Sequence, residues 1–336
     1  MDKKRVLITG VAGFIGAFLA KRLSADNPKF KIIGFDSLNN YYDPRLKEYR
    51  LSWLEKYDNF EFVRGDLADK TEVKNLFTKY KPQIVINLAA QPGARNSIDN
   101  PDSYIESNII GFYNILEACR NHRVEHLIFA SSSSVYGNNK KVPFSTEDRT
   151  DGPVSLYAAT KKSDEVLAYV YAKLYKIPTT GLRFFSVYGP AGRPDMAYFS
   201  FTDKFVKGEK IKIFNYGKCK RDFTYIDDIV EGIVRIVGKK PKEKDHYKIY
   251  NIGNSATKDL MEFVKTLQEE LVVAGVLPKD YDFDAHTEFK PMQPGDALET
   301  FADVSELEKD FGFRPETSLR DGLRSFAEWY KDYYML

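Results

Sequence analysis

The chain has 336 residues, of which 43% are hydrophobic and 29% charged, and this is typical of a globular protein with about two domains. Its 50 basic and 48 acidic residues leave a net charge of +2, which argues against a nucleic-acid partner, and its apolar runs are too short to span a membrane. The four histidines lack the spacing of metal ligands, and Cys119 and Cys219 give no disulfide framework, so we expect no metal site and a reducing cytoplasm.

The first half of the chain alternates short apolar runs with longer amphipathic stretches. Strands are predicted over residues 6–9, 31–35, 60–63, 84–88, 127–131 and 179–184. Helices are predicted over residues 14–25, 71–80, 102–121 and 156–175. Because the strands are nearly continuous Val, Ile and Leu runs, they indicate a parallel sheet that is covered on both faces. The alternation therefore predicts a doubly wound α/β fold, the Rossmann arrangement.

The regular alternation ends at a breaker cluster, Gly-Pro-Ala-Gly-Arg-Pro at 189–194, which marks a change of domain. We expect a Rossmann domain over residues 1–186, with a return segment near 225–258 that contains a further apolar strand at 249–252. Residues 187–336 are expected to form mainly a smaller α/β domain of shorter elements, which closes over the first.

A glycine-rich turn, Gly10, Gly13 and Gly16, follows the first strand directly. The three glycines allow a tight turn, a close approach of backbone to a pyrophosphate, and close packing of helix on strand. Phe14 and Ile15 begin the next helix, and the N-terminus of a helix attracts phosphate. The spacing differs from the standard dinucleotide fingerprint and is a weak signal by itself.

Two acidic residues strengthen this interpretation. Asp36 ends the second strand, where a carboxylate accepts a hydrogen bond from a ribose 2′-hydroxyl. Ser37 follows it and offers no counter-charge for a 2′-phosphate, so NAD is favoured over NADP. Asp66 closes the third strand and either contacts the adenine or caps the helix before Thr71.

Tyr157 and Lys161 lie four residues apart at the start of a predicted helix, and therefore on one face, after a plausible cap at Ser155. A tyrosine titrates near pH ~10, and a neighbouring ammonium lowers that value by ~1–3 units. Such a pair can remove a proton from a sugar hydroxyl while hydride leaves the same carbon.

The spacing alone does not select Tyr157, because three other pairs share it: Tyr136 and Lys140, Tyr169 and Lys173, Tyr216 and Lys220. The selecting feature is the run of four serines at 131–134, which ends a predicted strand upstream. Ligands bind at the carboxyl ends of the strands in such sheets, and a serine hydroxyl there can hold a substrate oxygen.

Together these motifs resemble the extended short-chain dehydrogenase/reductase family. The resemblance also rests on Leu-Ala-Ala at 88–90, Arg-Phe-Phe at 183–185, and the segments 221–228 and 251–253. Segments 36–43, 192–196 and 291–296 are similar to those of UDP-glucuronate 4-epimerases. Residues 91–96 and Ser186 depart from the commoner sequences at those positions. The resemblance implies an NAD-dependent isomerase that converts UDP-glucuronate to UDP-galacturonate through a 4-keto sugar.

The resemblance also implies roles for individual residues. Ser132, Tyr157 and Lys161 would be catalytic. Cofactor contacts would come from Gly10, Gly13, Phe14, Ile15, Gly16, Asp36, Asn39, Asp66, Leu67, Leu88, Ala89, Ala90, Asn108, Tyr157 and Lys161. Substrate contacts would come from Ser133, Ser134, Ser186, Arg193, Arg221 and Asp296.

For three of the substrate residues a different interpretation stays open. Arg193, expected beside the sugar carboxylate, can instead form a salt bridge with Asp195. Arg221, expected at the diphosphate, can form a surface ion pair with Asp222. Asp296, expected at the uridine ribose, follows Pro-Gly and can simply stabilise a turn.

A 4-ketone beside a C5 carboxylate readily loses CO₂, so an epimerase must restrain that carboxylate. Related decarboxylases carry Glu where Ser134 stands, and 4,6-dehydratases carry an Asp-Glu pair in the same run, whereas this run contains only serine. Alternative functions are C4 epimerisation of UDP-glucose or UDP-N-acetylglucosamine, and a non-catalytic NAD-binding role. The family also implies a homodimer, formed through the predicted helices 102–121 and 156–175.

Overall fold

A computed structural model describes residues 3–242, 244–292 and 298–336 of the chain. Its strands are β1 (Lys4–Thr9), β2 (Phe30–Asp36), β3 (Phe60–Arg64), β4 (Ile84–Asn87), β5 (His126–Ser132), β6 (Thr179–Phe184), β7 (Ser186–Tyr188), β8 (Ile211–Ile213), β9 (Lys220–Tyr225), β10 (Tyr247–Ile252), β11 (Thr257–Asp259) and β12 (Thr287–Phe289). Within the described residues, no helix is both long enough and apolar enough to cross a membrane.

The helices surround these strands. They are α1 (Phe14–Asp26), α2 (Pro44–Ser52), α3 (Lys70–Tyr80), α4 (Asn96–Asp99), α5 (Pro101–Tyr104), α6 (Gly111–His122), α7 (Leu156–Tyr175), α8 (Ala197–Val206), α9 (Ile226–Val237), α10 (Leu260–Ala274), α11 (Ser305–Phe311) and α12 (Leu319–Tyr334). A π-helical segment, Ile105–Ile110, joins α5 to α6, and a 3₁₀ turn, Ser133–Tyr136, follows β5.

Seven strands form one parallel sheet in the order β10-β6-β5-β4-β1-β2-β3. The doubly wound fold predicted from the sequence is confirmed. The strand order reverses between β1 and β4, and ligands of such folds bind at this point, beyond the carboxyl ends of the strands.

Alternate residues of each central strand enter two different cores, which is why the strand sequences are apolar throughout. In β1, Val6 and Ile8 pack on the side of α1 and α9, while Leu7 packs on the side of α3 and α6. All three side chains are at most 1% exposed. Burial of each such side chain contributes about 1.5–3 kcal/mol to folding.

The later part of the chain builds a smaller α/β unit. A three-stranded sheet in the order β11-β9-β7 and a two-stranded sheet of β8 and β12 lie beside α8, α10 and α12. Phe223 and Phe263 stack with ring centroids 3.9 Å apart in its aromatic core. The expectation of shorter elements here was wrong for two helices, since α10 has 15 residues and α12 has 16. The division of domains at residue 186 stays a prediction.

The helix predicted over 102–121 differs in detail, because it begins with α5 and widens into the π-helical segment before α6. Asn108 lies in the widened turn and is 1% exposed. Its side chain accepts a hydrogen bond from the Gln91 N–H at 2.7 Å and donates to Thr160 Oγ1 at 3.0 Å. The widened turn therefore lets a polar side chain reach inward between two other segments.

Candidate active site

A cavity of about 370 Å³ lies at the carboxyl edge of the seven-stranded sheet. Most of the site residues predicted from the sequence line it. They are Gly10, Gly13, Phe14, Ile15, Gly16, Asp36, Asn39, Asp66, Leu67, Leu88, Ala89, Ala90, Ser132, Ser133, Ser134, Tyr157, Lys161, Ser186 and Arg193. Residues from distant parts of the sequence are thus brought to one surface, although the role of each remains a prediction.

The glycine turn is shaped by close packing of backbone on backbone. Gly10 has φ +68°, and a Cβ there would lie 2.7 Å from the Ala89 nitrogen. A Cβ on Gly16 would collide with the Gly10 carbonyl oxygen. Helix α1 then begins at Phe14, with Gly13 as an N-cap that lacks a side-chain hydrogen bond and no acidic residue in its first turn. The turn therefore forms an open cradle that suits an anionic group.

Asp36 stands at the end of β2 with its carboxylate fixed in place. Its Oδ2 accepts the Ala12 N–H at 3.0 Å and its Oδ1 accepts the Leu38 N–H at 2.9 Å. Both oxygens keep further lone pairs for a ligand. This geometry fits the predicted contact with a ribose hydroxyl.

Asp66 lines the cavity and does not cap the next helix. The N-cap of α3 is Asp69, whose side chain accepts hydrogen bonds from the Thr71 and Glu72 N–H groups. Asp66 Oδ1 accepts only the Ala68 N–H, at 2.9 Å, among the bonds described. The second of the two interpretations of Asp66 is therefore excluded, and contact with the cofactor remains.

Helix α7 carries the predicted base and its lysine. Ser155 caps the helix by accepting the Ala158 N–H at 3.1 Å, as expected. The Tyr157 ring meets the ring of Tyr104 edge to face, with centroids 6.2 Å apart. Lys161 Nζ donates to the Ala130 carbonyl at 3.1 Å, which ties the ammonium to the end of β5.

The serines after β5 divide into two groups. Ser131 also lines the cavity, but its hydroxyl donates to Glu165 Oε1 at 2.6 Å. Ser132 Oγ lies 3.1 Å from Ser134 Oγ and accepts the Ser134 N–H at 3.2 Å. Ser132, Ser133 and Ser134 thus present a cluster of neutral hydroxyls where β5 ends and the 3₁₀ turn begins.

A buried ion pair underlies the serine cluster. Arg183 on β6 donates from Nε and Nη2 to the two oxygens of Glu165 on α7, at 2.8 and 2.9 Å. Arg183 also donates to the Tyr136 hydroxyl at 3.0 Å, which in turn donates to Asn251. The network fixes α7 against the sheet edge, and sequence reasoning identified Arg183 only as part of a family motif.

Arg193 lines the cavity and is paired. Its guanidinium forms two hydrogen bonds with Asp195, at 3.0 and 2.5 Å, so the salt bridge is present. Tyr41 donates to the same carboxylate at 3.3 Å. Burial lowers the pKa of Arg193, but Asp195, together with Tyr157 and Tyr41, raises it by more, and the guanidinium stays charged. Only part of its positive charge is therefore available to a ligand.

Three predicted site residues do not line the cavity as described. Asn108 lies behind the wall and holds the Gln91 backbone. Arg221 donates to the Lys220 and Leu298 carbonyls at 2.8 and 3.3 Å. Asp296 lies outside the described residues.

Asp222, the alternative partner of Arg221, forms its hydrogen bonds with backbone groups. It accepts the N–H groups of Asn254, Ser255 and Ala302.

Helix α2 contributes two cations that sequence reasoning missed. Lys47 lines the cavity and donates to Asn39 Oδ1 at 2.6 Å. Burial lowers the pKa of Lys47, partly offset by Asp36. The completely buried Arg50 donates to the carbonyls of Ala12, Ala191 and Gly192. Their three-residue spacing is common in polar helices, so the sequence carried no signal that distinguishes these two cations.

Comparison with known proteins identifies the family to which the chain belongs. The profile of the NAD dependent epimerase/dehydratase family matches residues 6–253. The chain belongs to this family. It is therefore an NAD-dependent enzyme, and its full-length relatives place it among the isomerases.

Individual relatives of this family member are similar over nearly its whole length. Protein CapI of Staphylococcus aureus is 48% identical, over 98% of this chain and 99% of that protein. The probable UDP-glucuronate 4-epimerase of Rhizobium meliloti (strain 1021) is 42% identical over 98% of both. A UDP-glucuronic acid 4-epimerase from Bacillus cereus, crystallised with UDP-glucuronic acid and NAD, superimposes with a TM-score of 0.87 at 33% identity, covering 98% of this chain and 100% of that one.

The cavity of this epimerase family member fits NAD on its own geometry. The open glycine cradle suits a pyrophosphate, and Asp36 at the end of β2 suits an unphosphorylated ribose. Lys161 and Tyr157 line the same cavity.

Proposed function

We propose that this enzyme epimerises UDP-glucuronate to UDP-galacturonate at C4 through a 4-keto intermediate. The observation that carries the proposal is one cavity that combines the base and lysine of α7 with a cluster of neutral serines. The serine run contains no carboxylate, which eliminations and decarboxylations by its relatives would call for.

Tyr157 removes the proton from the C4 hydroxyl, and Ser132 holds the same oxygen. Lys161, anchored at Ala130, supplies positive charge beside the phenol. When bound in the cavity, NAD would supply the acceptor for the C4 hydride and the source from which it is returned. The keto sugar then presents its other face, and Tyr157 gives the proton back to the new hydroxyl. Net oxidation is zero, so the cofactor can remain bound throughout.

The serines are the residues that we assign to the sugar carboxylate. Ser133, Ser134 and Ser186 line the cavity and donate neutral hydrogen bonds. Arg193 shares its charge with Asp195, so it orients the carboxylate without fully neutralising it. A carboxylate held near the plane of the 4-ketone cannot align its C–C bond with the carbonyl, and CO₂ is retained.

The remaining assignments concern binding. The cradle and Asp36 hold NAD, with Asn39, Asp66, Leu67 and the 88–90 segment around its adenosine and nicotinamide halves. Asn108 contributes indirectly, because it holds the backbone of Gln91, which lines the cavity. Arg221 serves the diphosphate, and Asp296 serves the uridine ribose.

The active form is proposed to be a homodimer in the cytoplasm. Helix α7 leaves Val166, Tyr169 and Leu174 at least half exposed, and the neighbouring π segment exposes Ile105 and Ile110. Apolar side chains on two adjacent helices suit a four-helix contact with a second copy. Cys119 is buried in the core, which suits a reducing compartment.

The test is to incubate the purified protein, without added cofactor, with UDP-glucuronate, UDP-glucose or UDP-N-acetylglucosamine, and to follow each by proton NMR. We expect UDP-galacturonate from the first sugar alone, and no UDP-pentose. Tyr157→Phe should abolish turnover while retaining NAD. The matched control is Tyr216→Phe, because Tyr216 shares the Tyr–Lys spacing but is exposed, and it should turn over normally.

Other outcomes would refute separate parts of the proposal. Turnover of a neutral sugar alone would keep the C4 chemistry and remove the carboxylate roles of the serines. A UDP-pentose as the main product would make the protein a decarboxylase. No reaction with any sugar, even with NAD added, would point to a non-catalytic role.

A further inference from the structure

Asp164 lies one turn beyond Lys161 on α7, inside the protein and outside the cavity lining. It is 1% exposed, and Lys161 is 3% exposed. Its Oδ2 accepts a hydrogen bond from Lys161 Nζ at 3.2 Å. Its Oδ1 is buried and has no hydrogen-bond partner in the described structure. This carboxylate therefore depends on Lys161 for its stabilisation.

A buried carboxylate with one unsatisfied oxygen is costly unless a cation compensates it. Burial raises the pKa of Asp164 to about 7, Lys161 lowers it, and Glu165 raises it. Glu165 is already engaged by Arg183, Ser131 and Lys162. Lys161 is thus the one cation that contacts Asp164 in the described part of the chain.

The contacts of Lys161 define the direction of its ammonium. Two of its three protons are taken by the Ala130 carbonyl and by Asp164, at 3.1 and 3.2 Å. The third proton is left for the cavity that the side chain lines. An ammonium held by two fixed acceptors cannot rotate its remaining donor away from the site without breaking a buried bond.

We infer that Asp164 is a positioning residue for the epimerisation, which orients the Lys161 ammonium and moderates the positive field that this ammonium exerts on Tyr157. The inference rests on the proposed function, because it assigns Tyr157 the role of base. Nothing in the glycine turn, the serine run or the Tyr–Lys spacing identifies this residue.

Two substitutions separate orientation from charge. Asp164→Asn keeps an acceptor for Lys161 and removes the negative charge. Asp164→Leu keeps the branched shape, although it is larger, and removes both. Glu231→Gln on α9 is the matched control, because it neutralises a carboxylate of a distant surface ion pair with Arg22 and Arg235.

The experiment measures kcat and KM across pH for the whole NAD-loaded protein, using whichever UDP-sugar the wild type converts. For Asp164→Asn we expect kcat within about fivefold and a lower acidic limb of the rate profile, by ~0.5–1.5 pH units, because the uncompensated ammonium favours the phenolate. The shift is expected where the wild-type limb lies near or above pH 7, since Asp164 is charged there. Arg193 and Tyr104, which also act electrostatically on Tyr157, are the same in all variants. For Asp164→Leu we expect kcat to fall ~10–100-fold with KM within about twofold, since the lysine loses its orientation. Glu231→Gln should keep the wild-type profile.

A structural role alone would give a different pattern. If both variants lowered the melting temperature and NAD content but left the acidic limb unmoved, the inference would be overturned. A wild-type kcat and pH profile in Asp164→Leu would overturn it as well. Rescue of kcat by Asn relative to Leu, with the shifted limb, supports it.

Failure of the proposed function is recognised separately. If the wild type converts no UDP-sugar, the readout becomes the phenolate absorbance of Tyr157 in the NAD-loaded protein, taken as the difference from Tyr157→Phe. Ionisation at lower pH in Asp164→Asn than in wild type would then still support the inference. Identical titration in the two proteins would overturn it.

Discussion

Asp36 is the residue that we expect to decide which dinucleotide the enzyme accepts. Its carboxylate stands at the end of β2, where a 2′-phosphate would meet a like charge. Asp36→Ala should weaken NAD binding ~10–100-fold and narrow the preference for NAD over NADP. Isothermal titration of the stripped protein with both cofactors measures this. Asp26→Asn, an exposed carboxylate at the end of α1, should change neither affinity.

His126 should make folding sensitive to acid. It is 2% exposed, its Nε2 lies 2.9 Å from Thr180 Oγ1, and its Nδ1 has no partner in the described structure. Burial lowers its pKa to about 4, with a smaller contribution from Lys240. In the unfolded chain this histidine is protonated below pH ~6.5, whereas in the folded chain it is protonated only below about pH 4. The free energy of unfolding therefore decreases as the pH falls from ~6.5 to about 4.

The corresponding prediction is quantitative. His126→Gln should remove up to about 3 kcal/mol of the acid-induced loss of unfolding free energy between pH ~6.5 and ~4. Urea denaturation at several pH values measures it. His286→Gln, at a half-buried position of the smaller unit, is the control. If the pH dependence were the same in His126→Gln and wild type, the buried imidazole would not be its source.

At the scale of elements, the attachment of α7 to the sheet depends on the buried pair of Glu165 and Arg183. Removing one member leaves an uncompensated charge, so Arg183→Met should lower the free energy of unfolding by about 3–5 kcal/mol. Arg22→Met breaks two ion pairs that are accessible to solvent, with Asp26 and Glu231, and should cost no more than about 1 kcal/mol. Chemical denaturation of the two variants compares them directly. Equal losses would contradict the assignment.

The sequence predicted those helices and strands that depend mainly on neighbouring residues in the chain. Strands β1 to β6 were predicted to within two residues at each end, because each is a short apolar run bounded by polar residues. The π segment could not be predicted, since its turn is widened around Asn108, whose partners are Gln91 and Thr160. Helix α2 was missed because its start depends on the Asp43 cap and on Pro44, within a polar stretch.

The residues of the site also fall into a group that the sequence predicted and a group that it did not. Residues within recognisable motifs, such as Gly10 and Tyr157, line the cavity as expected. Contacts such as that of Arg50 with Ala191 join positions 141 residues apart, and no local pattern records them. The Asp164 contact with Lys161 has ordinary helical spacing, and its significance comes only from burial.

At the scale of the whole molecule, the exposed apolar face of α7 predicts the assembly. Val166→Glu combined with Leu174→Glu places two charges on side chains that are 52% and 66% exposed, so the fold itself should tolerate them. If the face is a dimer contact, the double variant should be monomeric with NAD still bound. Light scattering after size-exclusion chromatography measures the mass. Val273→Glu, at a 73% exposed position on α10, should leave the mass unchanged.

Arg50 belongs to α2, yet its guanidinium holds the carbonyl of Ala12 in the glycine turn and those of Ala191 and Gly192 in the later unit. Because the guanidinium is rigid and planar, we expect a displacement of the glycine turn to be transmitted to the 191–192 loop. We expect ligand binding at the two loops to be coupled, and such coupling is reciprocal: a sugar nucleotide that strengthens dinucleotide binding at the first loop is itself bound more tightly, by the same factor, when the dinucleotide is present. An enzyme that takes a hydride from its substrate and then returns it benefits from this coupling, because a tightly held cofactor molecule can serve many turnovers.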